Sequence, residues 1–286
     1  MDKPLQQAEP AWEDPRKVLS RYGIHPSRKY SQNFLVTPHT VDAIASALGL
    51  QEDQYVVEIG PGAGSLSAAL LRRGLRVYAF EYDPRMIAIL NQEFASFPLQ
   101  VKLGDARKLD LQALCLEFED KINLVGNLPY AITGIFLRRL CEQANYLHQA
   151  IVMVQKEVAE RMIASPATKN YGALSVFLQR QFDLGCLLRV PAHAFYPKPK
   201  VSSAVVSLKP RACVPIPNFD HVVRCVFQKR RKTLRNALDQ CLEGLDGHAL
   251  GPIFAACQLD PQRRGETLSI SELEELVSQI NRQIEL

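Results

Sequence analysis

The chain has 286 residues, of which 47% are hydrophobic and 22% charged, as in an ordinary globular protein with room for one large domain and a small one. Its polar, mixed-charge start is unlike a signal or transit peptide, and no apolar run approaches the roughly eighteen residues of a membrane span. We therefore expect a cytoplasmic protein with no membrane partner. The seven cysteines are scattered, without a C-x-x-C pair or a histidine at ligand spacing, which predicts reduced thiols and no metal site.

Charge is distributed unevenly along the chain, although the net charge is only +4. Residues 15–41 hold five cations and no acid, whereas residues 239–286 hold nine acids against three arginines. A second basic block contains Arg224, Lys229, Arg230, Arg231, Lys232 and Arg235. Segregated basic blocks indicate a polyanionic partner, and solvated helix faces are the alternative.

The first part of the chain predicts an arm, a helix and then a buried strand. Residues 1–29 are expected to form a loose, basic arm. Thr37 and Pro38 suit the N-cap and first position of a helix over residues 38–48. The apolar run at Tyr55–Ile59 predicts a strand that leads into a glycine-rich turn and a helix over residues 65–73.

Gly60, Gly62 and Gly64 stand at every second position after that strand. Glycine suits such a turn because a Cβ atom would keep a ligand away from the backbone. The dinucleotide-binding fingerprint needs its third glycine one residue later, where this chain has Ser65. The spacing E-x-G-x-G-x-G is typical of S-adenosylmethionine-dependent methyltransferases, while another nucleotide-binding loop or a purely structural turn stays open.

Strands and helices then alternate, which predicts a parallel sheet with helices on both faces. The predicted strands cover residues 75–81, 99–103, 122–125 and 150–154. The predicted helices cover residues 82–94 and 134–141. Ligands of such sheets lie beyond the carboxyl ends of the strands. Because the unusual polar residues of this chain follow strand ends, we expect a ligand site there.

The remainder predicts a late pair of strands and then helices only. Helices are expected over residues 156–163 and 171–180, and strands over 182–189 and 201–208. A linker punctuated by prolines precedes four predicted helices, over residues 219–228, 231–242, 248–257 and 271–283. The predicted organisation is an arm (1–29), an α/β domain (30–209) and a helical domain (210–286).

Two acids follow predicted strands. Glu81 comes about twenty residues after the glycine turn, where an acid accepts hydrogen bonds from both ribose hydroxyls of a bound nucleoside. Asp105 ends the third strand, where its carboxylate could accept a hydrogen bond from an adenine amino group. A solvated strand-end carboxylate for Glu81, and plain turn chemistry for Asp105, are the alternatives.

The segment Asn127-Leu128-Pro129-Tyr130 follows the fourth strand and predicts an acceptor pocket for an aromatic amine. The Asn127 oxygen and a backbone carbonyl near Leu128 can each accept one N–H, which turns the nitrogen lone pair toward a methyl donor. Pro129 stiffens the turn, and Tyr130 offers a face on which a base can stack. Phe195 is a candidate for the opposite stacking face, with a core anchor as the alternative.

With these motifs, the sequence resembles the ribosomal RNA adenine N6,N6-dimethyltransferases, and in particular their small-subunit (kasugamycin-resistance) branch. The resemblance spans residues 28–237 and includes Gln32-Asn33-Phe34-Leu35, the glycine turn, Gly104-Asp105-Ala106 and Asn127-Leu128-Pro129-Tyr130. It implies a Rossmann-like class I S-adenosylmethionine-dependent methyltransferase domain with a small all-helical C-terminal domain that binds rRNA. Two departures are Ser31, where the family usually has glycine, and Ser202, where an acid usually follows Pro-Lys-Val.

The resemblance further implies the residues that would do the chemistry. Contacts to S-adenosylmethionine are expected from Asn33, Leu35, Gly60, Gly62, Glu81, Asp105, Ala106 and Asn127. The adenine would be held by Asn127, Leu128, Pro129, Tyr130 and Phe195. RNA phosphates would be held by Arg224, Lys229, Arg230, Arg231, Lys232 and Arg235.

The implied reaction converts two adjacent adenines in a 3′-terminal hairpin of 16S (small-subunit) rRNA to N6,N6-dimethyladenosine. The implied partner is a pre-ribosomal 30S particle late in assembly, and the enzyme is expected to be a monomer without a metal. Three alternatives stay open: a large-subunit dimethyltransferase of the macrolide-resistance type, an organellar relative acting as a transcription factor, and a non-catalytic RNA-binding assembly factor.

Overall fold

The computed structural model describes residues 10–242 and 247–284. The first nine residues of the predicted arm, and residues 243–246, 285 and 286 of the predicted helical domain, lie outside the described residues. Contacts divide the described chain into two units. One comprises the described residues up to Ala159 together with Asp183–Pro210, and the other comprises Glu160–Phe182 and the described residues from Arg211.

The bounds of the described strands are β1 Phe34–Leu35, β2 Tyr55–Ile59, β3 Arg76–Glu81, β4 Leu99–Leu103, β5 Ile122–Asn127, β6 Leu147–Gln155, β7 Phe182–Val190, β8 Phe195–Tyr196 and β9 Ser203–Pro210. Seven of these nine strands lie at the predicted positions to within about three residues, whereas the short strands β1 and β8 were not predicted. The helices up to Met162 are α1 Pro15–Arg21, α2 Pro38–Ala47, α3 Ser65–Leu71, α4 Pro84–Glu93, α5 Leu111–Phe118, α6 Thr133–Glu142 and α7 Lys156–Met162.

Seven strands form one sheet in the order β4-β3-β2-β5-β6-β9-β7. Strands β2 to β6 pair in parallel, with Val57 beside Leu124, whereas β9 runs antiparallel to β6, with Val206 beside Val152. Parallel pairing follows from the β-α-β connections, since each helix returns the chain to the same end of the sheet. The predicted α/β class is therefore confirmed; the sheet is parallel from β2 to β6, as predicted, and mixed as a whole.

The central strands are apolar because both of their faces are covered. Val56, Val57 and Ile59 on β2 are at most 1% exposed, and Val125 on β5 is fully buried. Gly126 lets β5 approach β2 closely: a Cβ atom there would lie 2.6 Å from the carbonyl oxygen of Ile59. This close pairing brings the ends of β2 and β5 together at the edge where ligands are expected.

The prediction of a loose arm is wrong for residues 15–21, which form helix α1. Asp14 caps the helix by accepting the backbone N–H of Arg16, and Pro15 occupies the first turn. Val18 and Leu19 are buried and pack in a cluster with Met86 and Ile89. This apolar face holds the helix in place. It consists of only two residues among many charged ones, so the sequence pattern did not indicate a packed helix.

The second unit is helical, and its core includes a segment that the sequence placed in the α/β domain. Its elements are α8 Ala173–Gln181, α9 Phe219–Gln228, α10 Leu234–Asp239, α11 Gly247–Ala256 and α12 Ile270–Ile284. Tyr171 and Val176 are fully buried in one cluster with Val222 and Leu276. The Tyr171 hydroxyl also donates to the carbonyl of Leu268 at 3.0 Å. Residues 160–182 therefore belong by packing to the helical unit.

The expectation that every cysteine is reduced and distant from histidine is wrong in the helical unit. Cys225 and Cys241 are joined in a disulfide, and the Cys225 sulfur lies 3.8 Å from Nε2 of His221. His221 precedes Cys225 by four residues on α9, so the two side chains share one helix face. The four-residue spacing of His221 and Cys225 is visible in the sequence once α9 is assigned as a helix. Cys115, Cys141, Cys186, Cys213 and Cys257 are free.

Within residues 10–242 and 247–284, no helix combines the length and the apolar composition that a transmembrane span requires.

Candidate active site

A cavity of about 290 Å³ lies at the carboxyl ends of β2, β3, β4 and β5. Its lining includes predicted residues from five separate stretches of chain, namely Asn33, Leu35, Gly60, Gly62, Glu81, Asp105, Ala106, Asn127, Leu128, Pro129 and Tyr130. Parallel strands end at the same edge of a sheet, so residues that follow different strands meet there. The cavity lies at the edge of the sheet where the sequence predicts a ligand site.

The glycine turn forms one wall of the cavity. Gly60 and Gly62 have φ angles of +67° and +57°, a region that side-chain-bearing residues rarely adopt. A Cβ atom on Gly62 would also lie 2.9 Å from the ring of Phe34. Glycine is therefore required at this position both by backbone conformation and by the closeness of the segment that crosses the turn.

Glu81 lies at the end of β3 and is only 8% exposed. Its carboxylate accepts the N–H groups of Gly62 at 3.0 Å, Tyr82 at 2.8 Å and Asp83 at 2.9 Å. Burial raises the pKa of Glu81 despite these three hydrogen bonds, which act in the opposite direction. A carboxylate offers about four acceptor positions. An acceptor position of Glu81 therefore remains for a ribose hydroxyl.

A second acid, Glu58 on β2, lies behind the glycine turn and is 1% exposed. Burial raises its pKa to about 8, with the charge of Glu81 adding to the effect and a hydrogen bond from the Ser67 hydroxyl at 2.7 Å opposing it. Glu58 is therefore protonated at neutral pH. A neutral acid here spares the site a second buried negative charge beside Glu81.

Asp105 follows β4 and is held by Arg107. The guanidinium Nε lies 2.9 Å from Oδ1 and Nη2 lies 2.6 Å from Oδ2, and the Arg107 N–H donates to Oδ1 at 3.0 Å. These hydrogen bonds, the side-chain pair above all, lower the pKa of Asp105. Asp105 is thus an ionised and oriented acceptor, and the neighbouring Ala106 is buried.

The segment that follows β5 is built as a rigid turn. The Leu128 N–H donates to the Met153 carbonyl at 3.1 Å, and the Pro129 carbonyl accepts the Thr133 hydroxyl at 3.1 Å. The Asn127 side-chain NH₂ donates to the backbone carbonyl of Asn33 at 3.0 Å. The Tyr130 hydroxyl lies 3.2 Å from the hydroxyl of Ser203. Asn127 and Tyr130 are therefore both fixed at the cavity wall.

Phe195 does not lie with the other predicted site residues. It is 4% exposed, pairs with Leu35 between β8 and β1, and belongs to the apolar core of the first unit. Phe195 is not one of the described residues that line the cavity. The structure gives Phe195 the role of a core anchor, the alternative stated from the sequence, instead of a second stacking face.

The basic block is also arranged differently from the prediction. The sequence predicts helices over residues 219–228 and 231–242; α9 ends at Gln228 as predicted, but α10 begins only at Leu234. The second helix begins only after Thr233 because the Thr233 side chain caps it, accepting the backbone N–H of Asn236. The predicted start of the second helix at residue 231 is therefore wrong, and Arg231 and Lys232 lie in the turn before α10.

Several cations of the block have partners within the helical unit. Arg230 pairs with Glu266 at 2.8 Å and donates to the Lys169 carbonyl at 2.9 Å. Lys229 donates to Gln240, and Arg224 lies 5.7 Å from the centre of the Phe177 ring. Arg231 and Lys232 are exposed, and neither forms an ion pair with another described residue. No acid among the described residues competes for these two cations, so both are available to an anionic partner.

Cavity residues that the sequence did not single out lie around Tyr30. Tyr30 and Tyr82 meet edge to face with ring centres 5.9 Å apart, and the Arg85 guanidinium lies 5.6 Å from the Tyr30 ring. Tyr82 is 57% exposed. Two signals in the sequence were available: Tyr82 is an aromatic directly after the strand-end acid Glu81, and Tyr30 is an aromatic two residues before Gln32.

Comparison with known proteins agrees with this geometry. A family model described as "Ribosomal RNA adenine dimethylase" matches residues 25–274. "Ribosomal RNA small subunit methyltransferase A" of Thiobacillus denitrificans is 42% identical over 258 residues, covering 88% of this chain and 97% of the relative. The protein of the same name from Geobacter metallireducens is 38% identical, covering 87% and 94%.

Among solved structures, a dimethyladenosine transferase from Plasmodium falciparum superposes with a TM-score of 0.73 at 25% identity. The match covers 87% of this chain and 98% of the other. The fold is that of the class I S-adenosylmethionine-dependent methyltransferases, with helices added at the C-terminus. The chain belongs to the ribosomal RNA adenine dimethylase family. The predicted cofactor, S-adenosylmethionine, and the predicted rRNA adenine dimethyltransferase activity are thereby confirmed.

Proposed function

We propose that this protein dimethylates the N6 amines of two adjacent adenines in a 3′-terminal hairpin of small-subunit rRNA, using S-adenosylmethionine. The observation that carries the proposal is that Asn127 and Tyr130 share one cavity with Glu81 and Asp105. The similarity to small-subunit methyltransferases over most of the chain supports this target over the large-subunit one. We further propose that the enzyme is a cytoplasmic monomer and that its substrate is a pre-ribosomal 30S particle late in assembly.

The cavity fits the cofactor in three respects. Gly60 and Gly62 line the cavity with backbone that carries no side chain, Glu81 has an acceptor position left for a ribose hydroxyl, and Asp105 is fixed as an acceptor for an adenine amine. When bound, the cofactor supplies an electrophilic methyl group on a sulfonium. We propose that it is held by Asn33, Leu35, Gly60, Gly62, Glu81, Asp105, Ala106 and Asn127.

The acceptor side needs positioning more than a strong base. The lone pair of an aromatic amine is delocalised into the ring, so the enzyme must hold the nitrogen with that lone pair directed at the methyl group. Asn127 Oδ1 can accept one N–H. The Leu128 carbonyl is the better second acceptor, because the Pro129 carbonyl already accepts the Thr133 hydroxyl and the Ile132 N–H. The amine proton leaves to water after transfer.

The second methylation meets a different hydrogen-bonding situation. The monomethylated amine has one N–H left, so only one of the two acceptors can still be satisfied. Stacking on Tyr130 does not depend on the number of N–H groups and holds the base in both rounds. We therefore expect Tyr130 to matter at least as much for the second transfer as for the first.

RNA phosphates are assigned to the turn between α9 and α10. Arg231 and Lys232 provide the exposed charge, and Arg230 is held by Glu266. Arg224, Lys229 and Arg235 flank this turn. Phosphate contacts position the substrate without reading its sequence, so this turn would support binding while the cavity selects the adenine.

The proposed function is tested by incubating the enzyme with methyl-labelled S-adenosylmethionine and, separately, unmethylated small and large subunits. Label should enter only the small subunit, at two neighbouring adenines near the 3′ end of its rRNA. Label in the large subunit would instead support the macrolide-resistance type of enzyme. Tight particle binding without any label would support the non-catalytic assembly factor.

A further inference from the structure

The amide of Asn127 can present either its oxygen or its NH₂ group to the cavity. In the structure the NH₂ group donates to the backbone carbonyl of Asn33 at 3.0 Å. This bond leaves Oδ1 as the polar atom available to the target amine. A flipped amide would direct its own N–H groups against those of adenine, so the orientation decides whether the pocket accepts the base.

The carbonyl of Asn33 is in turn fixed by the preceding residue, Gln32. The Gln32 side chain donates from Nε2 to Oδ2 of Asp83 at 2.8 Å, and its Oε1 accepts the N–H of Ser27 at 2.8 Å. Both hydrogen-bonding ends of the amide are therefore engaged, one within its own segment and one across to the start of α4. Downstream, Phe34 and Leu35 are held by pairing with β8.

Asp83 is a firm anchor for Gln32. It is fully buried, and Nη2 of Arg85 lies 2.7 Å from its Oδ2. Burial alone would raise the pKa of Asp83, but the Arg85 side chain and N–H and the Gln32 amide together lower it, so the group is ionised. The N–H of Asp83 also donates to Glu81 at 2.9 Å. Hydrogen bonds thus connect Glu81 with Gln32 through Asp83, and the main chain from Gln32 to Asn33 completes the connection to Asn127.

We propose that Gln32 is a positioning residue for methyl transfer: by bonding Asp83 and Ser27 it fixes the Asn33 carbonyl, which orients the Asn127 amide with its oxygen toward adenine. The inference rests on the proposed acceptor role of Asn127. Gln32 itself would touch neither adenine nor the methyl group. Its loss should lower the rate of transfer more than the affinity for the cofactor.

The first test is Gln32→Leu, which keeps the size of the side chain and removes both hydrogen bonds. The single-turnover rate on unmethylated small subunits should fall about ten- to hundredfold, as expected for a misplaced reacting group. The dissociation constant of S-adenosylmethionine should change by less than about threefold, measured by calorimetry. Gln112→Leu on the exposed side of α5 is the matched control and should leave both values unchanged. A Gln32→Leu rate within twofold of wild type would overturn the proposal.

The second test is Gln32→Glu. A merely structural role of Gln32 would not predict the pH dependence that we expect for this variant. When protonated, the new carboxyl can donate to Asp83. When ionised, it faces the Asp83 carboxylate and repels it. Arg85 and Lys29 are the nearby cations that compensate this repulsion, and Glu81 adds to it. The rate of this variant relative to wild type should therefore fall as the pH rises from 6 to 8.5. A relative rate that does not fall with pH would contradict the donor role of Gln32.

The positioning role of Gln32 and the proposed function can be tested separately by a measurement that needs no methylation. The side-chain ¹⁵N–H signals of Asn127, assigned through their loss in Asn127→Asp, should shift in Gln32→Leu and not in Gln112→Leu. This shift is expected even if the rRNA target were wrong. Unmoved Asn127 signals in Gln32→Leu would refute the positioning role, whereas a shift without any methyl transfer by the wild type would refute only the proposed function.

Discussion

Replacing Tyr130 by alanine should separate substrate positioning from cofactor binding. The ring of Tyr130 lines the cavity beside Asn127, and its hydroxyl lies 3.2 Å from that of Ser203. Stacking of a base on an aromatic ring contributes roughly 1–3 kcal/mol, so its loss should slow methyl transfer about 5- to 150-fold. Cofactor affinity should be nearly unchanged, because the predicted cofactor acids lie elsewhere, Glu81 at the end of β3 and Asp105 after β4.

Tyr130→Phe is the matched control for this variant. It keeps the stacking face and loses only the contact with Ser203, a neutral hydrogen bond worth roughly 0.5–1.5 kcal/mol at most. The rate should therefore fall less than about tenfold, and clearly less than in Tyr130→Ala.

The assay is a single-turnover measurement with enzyme in excess over unmethylated small subunits, so that product release does not mask the chemical step. Thermal unfolding of both variants controls for loss of fold. Equal rates for Tyr130→Ala and wild type would refute a stacking role. Equal losses in both variants would show that the hydroxyl, and not the ring, is the functional group.

Three further changes test other parts of the structure. Gly62→Val should abolish S-adenosylmethionine binding in calorimetry, because a side chain is strained at φ +57° and meets the Phe34 ring; retained affinity would contradict the assigned turn. Burial raises the pKa of Glu58 from 4.5 to about 8, so the folded protein keeps a proton that the unfolded chain releases. The free energy of unfolding of the wild type therefore falls as the pH rises through this range. Glu58→Gln, which cannot ionise, should therefore gain in Tm relative to wild type between pH 5 and 8, and a constant difference in Tm would show that Glu58 is not protonated. Replacing Arg231 and Lys232 together by glutamine should lower the salt slope of small-subunit binding by about 1.4, at about 0.7 per contact with single-stranded RNA; an unchanged slope would mean that the turn is only solvated.

The site was predictable to the extent that it depends on local pattern. The glycine turn, Glu81, Asp105 and Asn127 each follow an apolar strand, and parallel pairing brings such strand ends together whatever the details of packing. Helix α9 also has the predicted bounds, because its apolar residues recur at helical spacing from Phe219 to Val226.

The missed features depend on contacts between residues distant in sequence. Gln32 meets Asp83 across 51 positions, and no property of either residue indicates the other. Phe195 is buried because β8 pairs with β1, and both strands are only two residues long. The break before α10 had a local signal in Thr233, a good N-cap, but the favourable helix propensity of the preceding basic residues obscured it.

The proposed chemistry depends most directly on Asn127. Wild-type enzyme and Asn127→Ala should be compared on unmethylated small subunits, with the nucleosides of the product rRNA identified by mass spectrometry and cofactor binding measured in parallel. Wild type should form two N6,N6-dimethyladenosines per subunit, while the variant should still bind cofactor but transfer methyl groups about a hundredfold or more slowly, as expected when a preorganised polar group is removed. Dimethyladenosine formed by Asn127→Ala at the wild-type rate would contradict the assignment of this cavity as the site of adenine methylation.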